Sequence, residues 1–160
     1  MSSTASSKNT AGSERLLRVG VVGAGVMGTN HARVLAGLPG VELVGIVDPL
    51  AAHRTRASQM LGCPTFTTLE EMLDAGLDAV TIAAPTHLHR DVSLACIARK
   101  IHILVEKPIA SSVEEGHEIV DAARAAGNSR SDVRHGDFFV SKRRFISLHC
   151  VRRSCGSRRC

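Results

Sequence analysis

The chain has 160 residues, 44% of them hydrophobic, which is enough for one domain with a buried core. No run approaches the roughly 18 apolar residues of a membrane span, and residues 1–15 lack the apolar segment of a secretory signal. The net charge of +5 lies at one end: residues 129–160 hold nine Lys or Arg against two Asp, a net +7, so the other 128 residues sum to −2. A basic surface spread over the whole fold, as nucleic-acid-binding domains have, is therefore excluded.

Residues 1–15 are rich in Ser, Thr, Ala and Gly, which predicts a disordered tail. From residue 16 to 127 short strand-like and helix-like segments alternate. The predicted strands cover residues 17–22, 41–47, 78–83 and 101–105. The predicted helices cover residues 26–37, about 49–61, a short segment opened by a capping box at Thr67 or Thr68, 88–99, and a last helix opened by Ser111 or Ser112 and ending at 126. This order indicates the α/β class, with a doubly wound parallel sheet (Rossmann) covered by helices on both faces.

A glycine-rich motif, G-x-G-x-x-G, joins the first predicted strand to the first helix. Gly23 permits the tight turn, Gly25 lets the backbone approach a pyrophosphate, and Gly28 lets the helix pack closely on the strand. The free amides and the positive dipole end of the helix then favour an anion beside Val26 and Met27. The motif therefore predicts a dinucleotide site.

The other polar candidates also follow predicted strands. Asp48 ends the second strand, twenty residues after Gly28, where it can accept hydrogen bonds from an adenosine ribose. Residues 85–89 and 106–108 follow two later strands. Because the carboxyl ends of parallel strands share one edge, these loops are expected to meet in one crevice.

Together these motifs resemble the Gfo/Idh/MocA family of NAD(P)-dependent oxidoreductases, which act on sugars, polyols and related compounds, and the resemblance covers residues 16–127. It implies that Lys107 of the Glu106-Lys107-Pro108 segment reaches the nicotinamide and the substrate as the catalytic residue, with Glu106 holding the ammonium group. It also implies that Pro85 and Thr86 line the nicotinamide ribose, and that His89 contacts the cofactor.

Two features of the cofactor site stay open. The charge of Asp48 would repel the 2′-phosphate of NADP, which favours NAD, although Arg54 or Arg56 could reach such a phosphate. His31, one turn into the first helix, is either a structural histidine or a ligand contact. Four further histidines are interpreted as surface or core residues: His53, His102, His117 and His135.

Residues 128–160 form a basic tail rich in Cys and Arg, predicted to be poorly ordered or aberrant, and residues 128–137 do not read as a buried strand. The composition break suggests an out-of-frame reading or an alternative ending in place of the second α+β domain, with its Asp and His pair, that family members carry. The spacing of Cys150, Cys155 and Cys160 does not favour zinc. We therefore expect no metal site and, despite the basic charge, no nucleic-acid partner.

The expected function is hydride transfer on a sugar or polyol by an oxidoreductase whose catalytic half is missing from this chain. The alternative is a non-catalytic dinucleotide sensor, and a third reading is a truncated product prone to association. Whether the isolated chain is an enzyme stays open. A cytoplasmic location is expected, because Cys63 and Cys96 lie far apart and no secretory signal is present. No membrane partner is expected. A homo-oligomer is possible.

Overall fold

The computed structural model describes residues 15–126, together with the backbone of two further strands at 130–134 and 137–141. The strands are β1 (Leu17–Val22), β2 (Val41–Val47), β3 (Thr65–Phe66), β4 (Ala79–Ile82), β5 (His102–Val105), β6 (Arg130–Arg134) and β7 (Asp137–Ser141). The helices are α1 (Val26–Ala36), α2 (Ala51–Leu61), α3 (Leu69–Asp74), α4 (His89–Ala98) and α5 (Val113–Ala125), and a single 3-10 turn, Thr86–Leu88, precedes α4. No helix in this described part is long and apolar enough to cross a membrane.

The strands form one sheet in the order β3-β2-β1-β4-β5-β7-β6, and β1 to β5 are all parallel. The chain moves outward from β1 through β2 to β3, then returns to the other side of β1 to form β4 and β5. The reversal therefore lies between β1 and β4. In sheets of this kind ligands bind at such a point, beyond the carboxyl ends of the strands.

The core lies on both faces of the sheet, as a doubly wound fold requires. Neighbouring residues of β1 point to opposite faces: Val21 packs with Ala32 of α1 and Ala57 of α2, whereas Val22 belongs to the other cluster. That second cluster is larger and includes side chains from α3, α4 and α5: Met72, Leu73, Val92, Cys96, Ile97, Ile119 and Ala123. The predicted doubly wound arrangement is confirmed for β1 to β5.

The predicted boundaries of the strands and helices agree with the structure to within a few residues. The start of α2 shows the cause of one such difference. Pro49 was expected in the first turn of α2, but α2 begins at Ala51 with Leu50 as its N-cap. The reason is Asp48, whose Oδ1 accepts a hydrogen bond from the Leu50 amide at 2.9 Å and so turns the chain before the helix starts. Of the alternative caps, Thr68 forms the complete capping box of α3 and Ser112 caps α5.

The described sheet continues beyond β5 with two strands from the segment after residue 127. β7 pairs antiparallel with β5, with Phe138, Phe139 and Val140 opposite Val105, Leu104 and Ile103, and β6 pairs antiparallel with β7. Strand-favouring aromatic and β-branched residues explain β7, and β6 follows as its hairpin partner at the edge of the described sheet. The predictions for residues 1–14, 127–129, 135–136 and 142–160, which include His135 and the three candidate zinc cysteines, lie outside the described residues.

Candidate functional site

The glycine loop after β1 has the close contacts that its sequence predicts. Gly23 has φ +95°, and a Cβ there would lie 2.6 Å from the carbonyl oxygen of Ala83, in the loop after β4. A Cβ on Gly28 would lie 1.7 Å from the Gly23 oxygen, so α1 approaches the turn too closely for any side chain. Gly25 differs, because a Cβ there meets nothing within 4 Å. The space above Gly25 is open, as the approach of a ligand would require.

The first turn of α1 leaves its amide groups available. Its N-cap is Gly25, no side chain caps the helix, and no acidic residue lies in the first turn. The exposed side chains of Val26 and Met27 border this end of the helix. Unpaired amides and the helix dipole make this terminus attractive to an anion. This end of α1 thus has the features of a phosphate site.

Asp48, at the end of β2, is buried and connected to the glycine loop. Its Oδ2 accepts a hydrogen bond from the Ala24 amide at 2.9 Å, and the Gly23 amide donates to the Val47 oxygen at 2.8 Å. Burial acts to raise the pKa of Asp48, but the hydrogen bonds from the amides of Ala24 and Leu50, together with His53, outweigh burial and lower it. Asp48 is therefore an ionised acceptor fixed at the edge of the crevice.

Two basic side chains of α2 surround the Asp48 turn. The Nδ1 atom of His53, for which no partner was predicted, lies 3.1 Å from Asp48 Oδ2. The guanidinium of Arg54 donates from Nη1 to the carbonyl oxygens of Asp48 and Pro49, at 2.7 and 2.8 Å. Arg54 therefore fixes the backbone of this turn, and Arg56 is exposed.

The loop after β4 brings its predicted residues to the same edge. The Ala83 amide donates to the Val22 oxygen at 2.8 Å, so this loop begins beside the glycine loop. Pro85 is exposed and Thr86 half-buried, at the start of the 3-10 turn.

His89 is 1% exposed, and both of its ring nitrogens face backbone oxygens: Nδ1 lies 2.9 Å from the Pro108 oxygen and Nε2 lies 2.8 Å from the Ala84 oxygen. The predicted contact of this ring with a cofactor is not compatible with that geometry, because neither nitrogen faces the crevice. His89 instead connects the loop after β4 to the loop after β5.

The loop after β5 carries Glu106 and Lys107, and the Glu106 amide donates to the Ile82 oxygen at 2.9 Å. The carboxylate of Glu106 does not hold the ammonium group of Lys107. Its Oε1 lies 2.5 Å from Nε2 of His31 on α1, and its Oε2 accepts from the Lys107 amide at 3.3 Å. Lys107 is exposed, and its ammonium group has no ion-pair partner among the described residues. The peptide bond between Lys107 and Pro108 is cis.

Sequence reasoning thus found the crevice but missed three contacts within it, those of His31, His53 and His89. His53 lies in the first turn of α2, five residues after Asp48. A side chain in that turn can reach back to the residues just before the helix, so this contact could have been predicted from the local sequence. The pairing of His31 with Glu106 spans 75 positions and had none. Among the described residues no cluster of three or more His, Cys, Asp or Glu side chains could hold a metal ion.

Comparison with known proteins identifies this arrangement. Residues 17–132 match the family model GFO_IDH_MocA, described as an oxidoreductase family with an NAD-binding Rossmann fold. Inositol 2-dehydrogenase 4 of Saccharopolyspora erythraea is 39% identical over 118 residues, which cover 72% of this chain and 35% of that protein.

Two solved structures are similar in the same region. GenD2 from gentamicin A biosynthesis, in complex with NAD, is 34% identical with a TM-score of 0.67 and coverage of 71% of this chain and 33% of its own. The WlbA dehydrogenase of Bordetella pertussis, in complex with NADH and UDP-GlcNAcA, is 33% identical with a TM-score of 0.66 and coverage of 71% and 36%. The chain spans about a third of the length of the relatives it matches. It belongs to the Gfo/Idh/MocA family of oxidoreductases and contains that family's NAD-binding Rossmann domain.

Proposed function

We propose that this chain is the cofactor-binding part of an oxidoreductase that transfers hydride between a nicotinamide and a carbinol or carbonyl carbon of a sugar or polyol. The observation that carries the proposal is the open, uncapped end of α1 above Gly25, located at the sheet reversal and next to the ionised Asp48. This arrangement offers amide donors to a pyrophosphate and a carboxylate acceptor to a ribose.

The residues present fit NAD, because a Cβ on Gly25 would project into the open space that the pyrophosphate would occupy. The amides of Val26, Met27 and Gly28 would hold the pyrophosphate, and Asp48 would accept from the adenosine ribose hydroxyls. When bound, NAD supplies the hydride acceptor. Its position along the crevice would bring the nicotinamide end toward Pro85 and Thr86.

Lys107 is the proposed catalytic residue of this part of the protein. It is exposed at the same edge of the sheet and its ammonium group is not engaged by any described residue, which leaves it available to substrate oxygens. A fixed positive charge there would stabilise a developing alkoxide. We assign Glu106 and His89 positioning roles, because both fix the loop that carries Lys107.

The substrate class follows from the relatives, which include inositol dehydrogenases and a structure that holds UDP-GlcNAcA. Both ligand types are polyhydroxylated rings, so a sugar or polyol is proposed here. We assign the proton acceptor to the substrate domain of the family. A cytoplasmic location is part of the proposal, and it agrees with the two free, buried cysteines, Cys63 and Cys96.

Calorimetric titration with NAD and NADP, followed by absorbance detection of NADH with an inositol and sugar panel, tests the proposal. Saturable binding of NAD supports the cofactor site, and NADH formation would add catalysis by this chain. Binding without turnover would favour the alternative of a dinucleotide-binding module that senses or regulates. Failure of both cofactors to bind would refute the proposal.

A further inference from the structure

We propose that His53 makes the choice between NAD and NADP depend on pH, by neutralising Asp48 when its imidazole is protonated. The inference rests on the proposed function, because it concerns how the same site treats the adenosine ribose. Its basis is the contact of 3.1 Å between His53 Nδ1 and Oδ2 of Asp48, the carboxylate that would accept from the adenosine ribose.

The two protonation states of His53 give this turn different charges. A neutral imidazole with its proton on Nδ1 can donate to Asp48 and leaves the carboxylate charge of −1 uncompensated. A protonated imidazole makes the same hydrogen bond and brings the pair to zero. A 2′-phosphate is repelled in the first state and is no longer repelled in the second, whereas the uncharged 2′-hydroxyl of NAD is affected far less.

Asp48 itself stays ionised over the range in which histidine titrates. The amides of Ala24 and Leu50 both donate to its carboxylate, and this hydrogen bonding lowers its pKa in spite of burial. The side chain of His53 is 44% exposed, so it can exchange protons with solvent without unfolding. The net charge of this turn therefore depends on whether the His53 imidazole carries a second proton.

The other charged groups around α2 do not compensate Asp48 directly. Within α2, the Arg54 guanidinium binds two backbone carbonyls and Arg56 is exposed. The elements packed against α2 are α1, β2 and β3. In these elements, α1 and β2 carry three charged or titratable side chains and β3 carries none. Each of the three has another partner: His31 pairs with Glu106, Arg33 with Asn30, and Glu42 with Arg18.

Arg54 strengthens the effect once His53 is protonated. Its Nη1 holds the carbonyl oxygens of Asp48 and Pro49, which keeps a permanent positive charge within this turn. With the Asp48–His53 pair at zero net charge, a 2′-phosphate would meet the uncompensated positive charge of Arg54. Acidification is thus expected to improve the binding of NADP relative to NAD.

The test is calorimetric measurement of the Kd of NAD and of NADP at about pH 8 and about pH 5.5, at constant ionic strength, on the full chain. The variants are His53→Asn, which keeps a hydrogen-bond donor without a titrating charge, and His53→Lys, which carries a permanent charge. His117→Asn on α5 is the matched control, because it removes an exposed histidine from a helix that is not among the elements packed against α2.

On acidification, the ratio of the NADP Kd to the NAD Kd is expected to fall about threefold to tenfold further in the wild type than in His53→Asn. The wild type must be compared with the variants at each pH, because the 2′-phosphate itself gains a proton near pH 6, as phosphate monoesters do. That contribution is common to all variants and cancels. The His53→Lys chain should have a lower ratio than the wild type at about pH 8 and should change on acidification only as much as His53→Asn does, whereas His117→Asn should follow the wild type.

An equal change in the wild type and in His53→Asn would overturn the inference, and so would a His53→Lys ratio at about pH 8 equal to that of the wild type. Either result with intact NAD binding leaves the proposed function standing. Loss of binding of both cofactors by the wild type would instead refute the proposed function and the inference together. Thermal melts show which variants are folded, and the Asn and Lys variants provide two independent comparisons.

Discussion

The glycine loop yields a prediction that separates folding from binding, because Gly25 and Gly28 meet such different surroundings. An alanine at position 28 would bring its Cβ to 1.7 Å from the Gly23 oxygen and 2.8 Å from the Gly23 carbonyl carbon. Both atoms belong to the backbone, so α1 must move away from β1. An alanine at position 25 meets nothing within 4 Å, and the φ of −69° and ψ of −170° there are allowed for alanine.

The magnitudes follow from these contacts. Overpacking costs about 1–3 kcal/mol and, for a backbone clash this close, we expect at least about 2 kcal/mol of lost stability in Gly28→Ala, even after the gain in helix propensity. At about 4 °C per kcal/mol, the melting temperature should fall by roughly 8 °C. Gly25→Ala should change stability by less than about 0.5 kcal/mol. Its methyl group would occupy the space of the pyrophosphate, and NAD affinity should fall at least about tenfold, or 1.4 kcal/mol.

Thermal melts and calorimetric titration with NAD measure the two effects separately. Gly116→Ala in α5 is the matched control, because a Cβ there also meets nothing within 4 Å and Gly116 lies outside the glycine loop. It should stabilise the chain by about 0.5–1 kcal/mol and leave NAD affinity unchanged. A Gly25→Ala chain that binds NAD as the wild type does would refute the assigned position of the pyrophosphate. A Gly28→Ala chain of unchanged stability would refute the close-packing argument.

Three further predictions concern the charged groups of the crevice. Asp48→Asn should lower the unfolding free energy by about 1–3 kcal/mol near neutral pH. Because the folded pKa of Asp48 is lowered, its contribution is present above the ordinary value of 3.8 and is lost as pH falls through the lower folded value. Urea titrations should therefore give a smaller difference from the wild type at about pH 3, and an equal difference at both pH values would contradict the burial and hydrogen bonding described. In a double-mutant cycle, His31→Asn and Glu106→Gln should show a coupling energy of about 0.5–3 kcal/mol by urea denaturation, whereas strictly additive costs would mean that the 2.5 Å contact contributes nothing. Lys107→Ala should leave the melting temperature unchanged, within about 0.5 kcal/mol of stability, because the side chain is exposed without an ion-pair partner in the described part of the chain, and a clear loss would reveal a structural role.

The sequence predicted most of the parallel sheet because its signals are local. Apolar runs mark the strands, and the caps at Thr68 and Ser112 mark helix starts within a few residues. The glycine spacing likewise depends on neighbours in the chain, so the turn at Gly23 and the tight packing at Gly28 could be anticipated. The crevice followed from topology, since parallel strand ends share one edge.

The side-chain partners within the crevice could not be predicted in the same way. Glu106 follows Val105 in the chain, but its partner is His31, brought close only when α1 packs beside the β5 loop. His89 was expected to face a cofactor, yet the 3-10 turn before α4 directs its ring between the oxygens of Ala84 and Pro108. A basic composition obscured the strand pairing of β6 and β7, because their register is set by β5 rather than by a local pattern.

Binding of NAD by the glycine loop can be measured residue by residue with amide NMR of the 15N-labelled chain during an NAD titration. Saturable shifts are expected at Gly25, Met27 and Gly28, and at Asp48 across the loop. The open depression beside α5, lined by Ile109, Ala110, Ser112, Val113, Gly116 and Val120, should be unaffected. Absence of saturable shifts, or shifts in that depression instead of the glycine loop, would contradict NAD binding at the glycine loop.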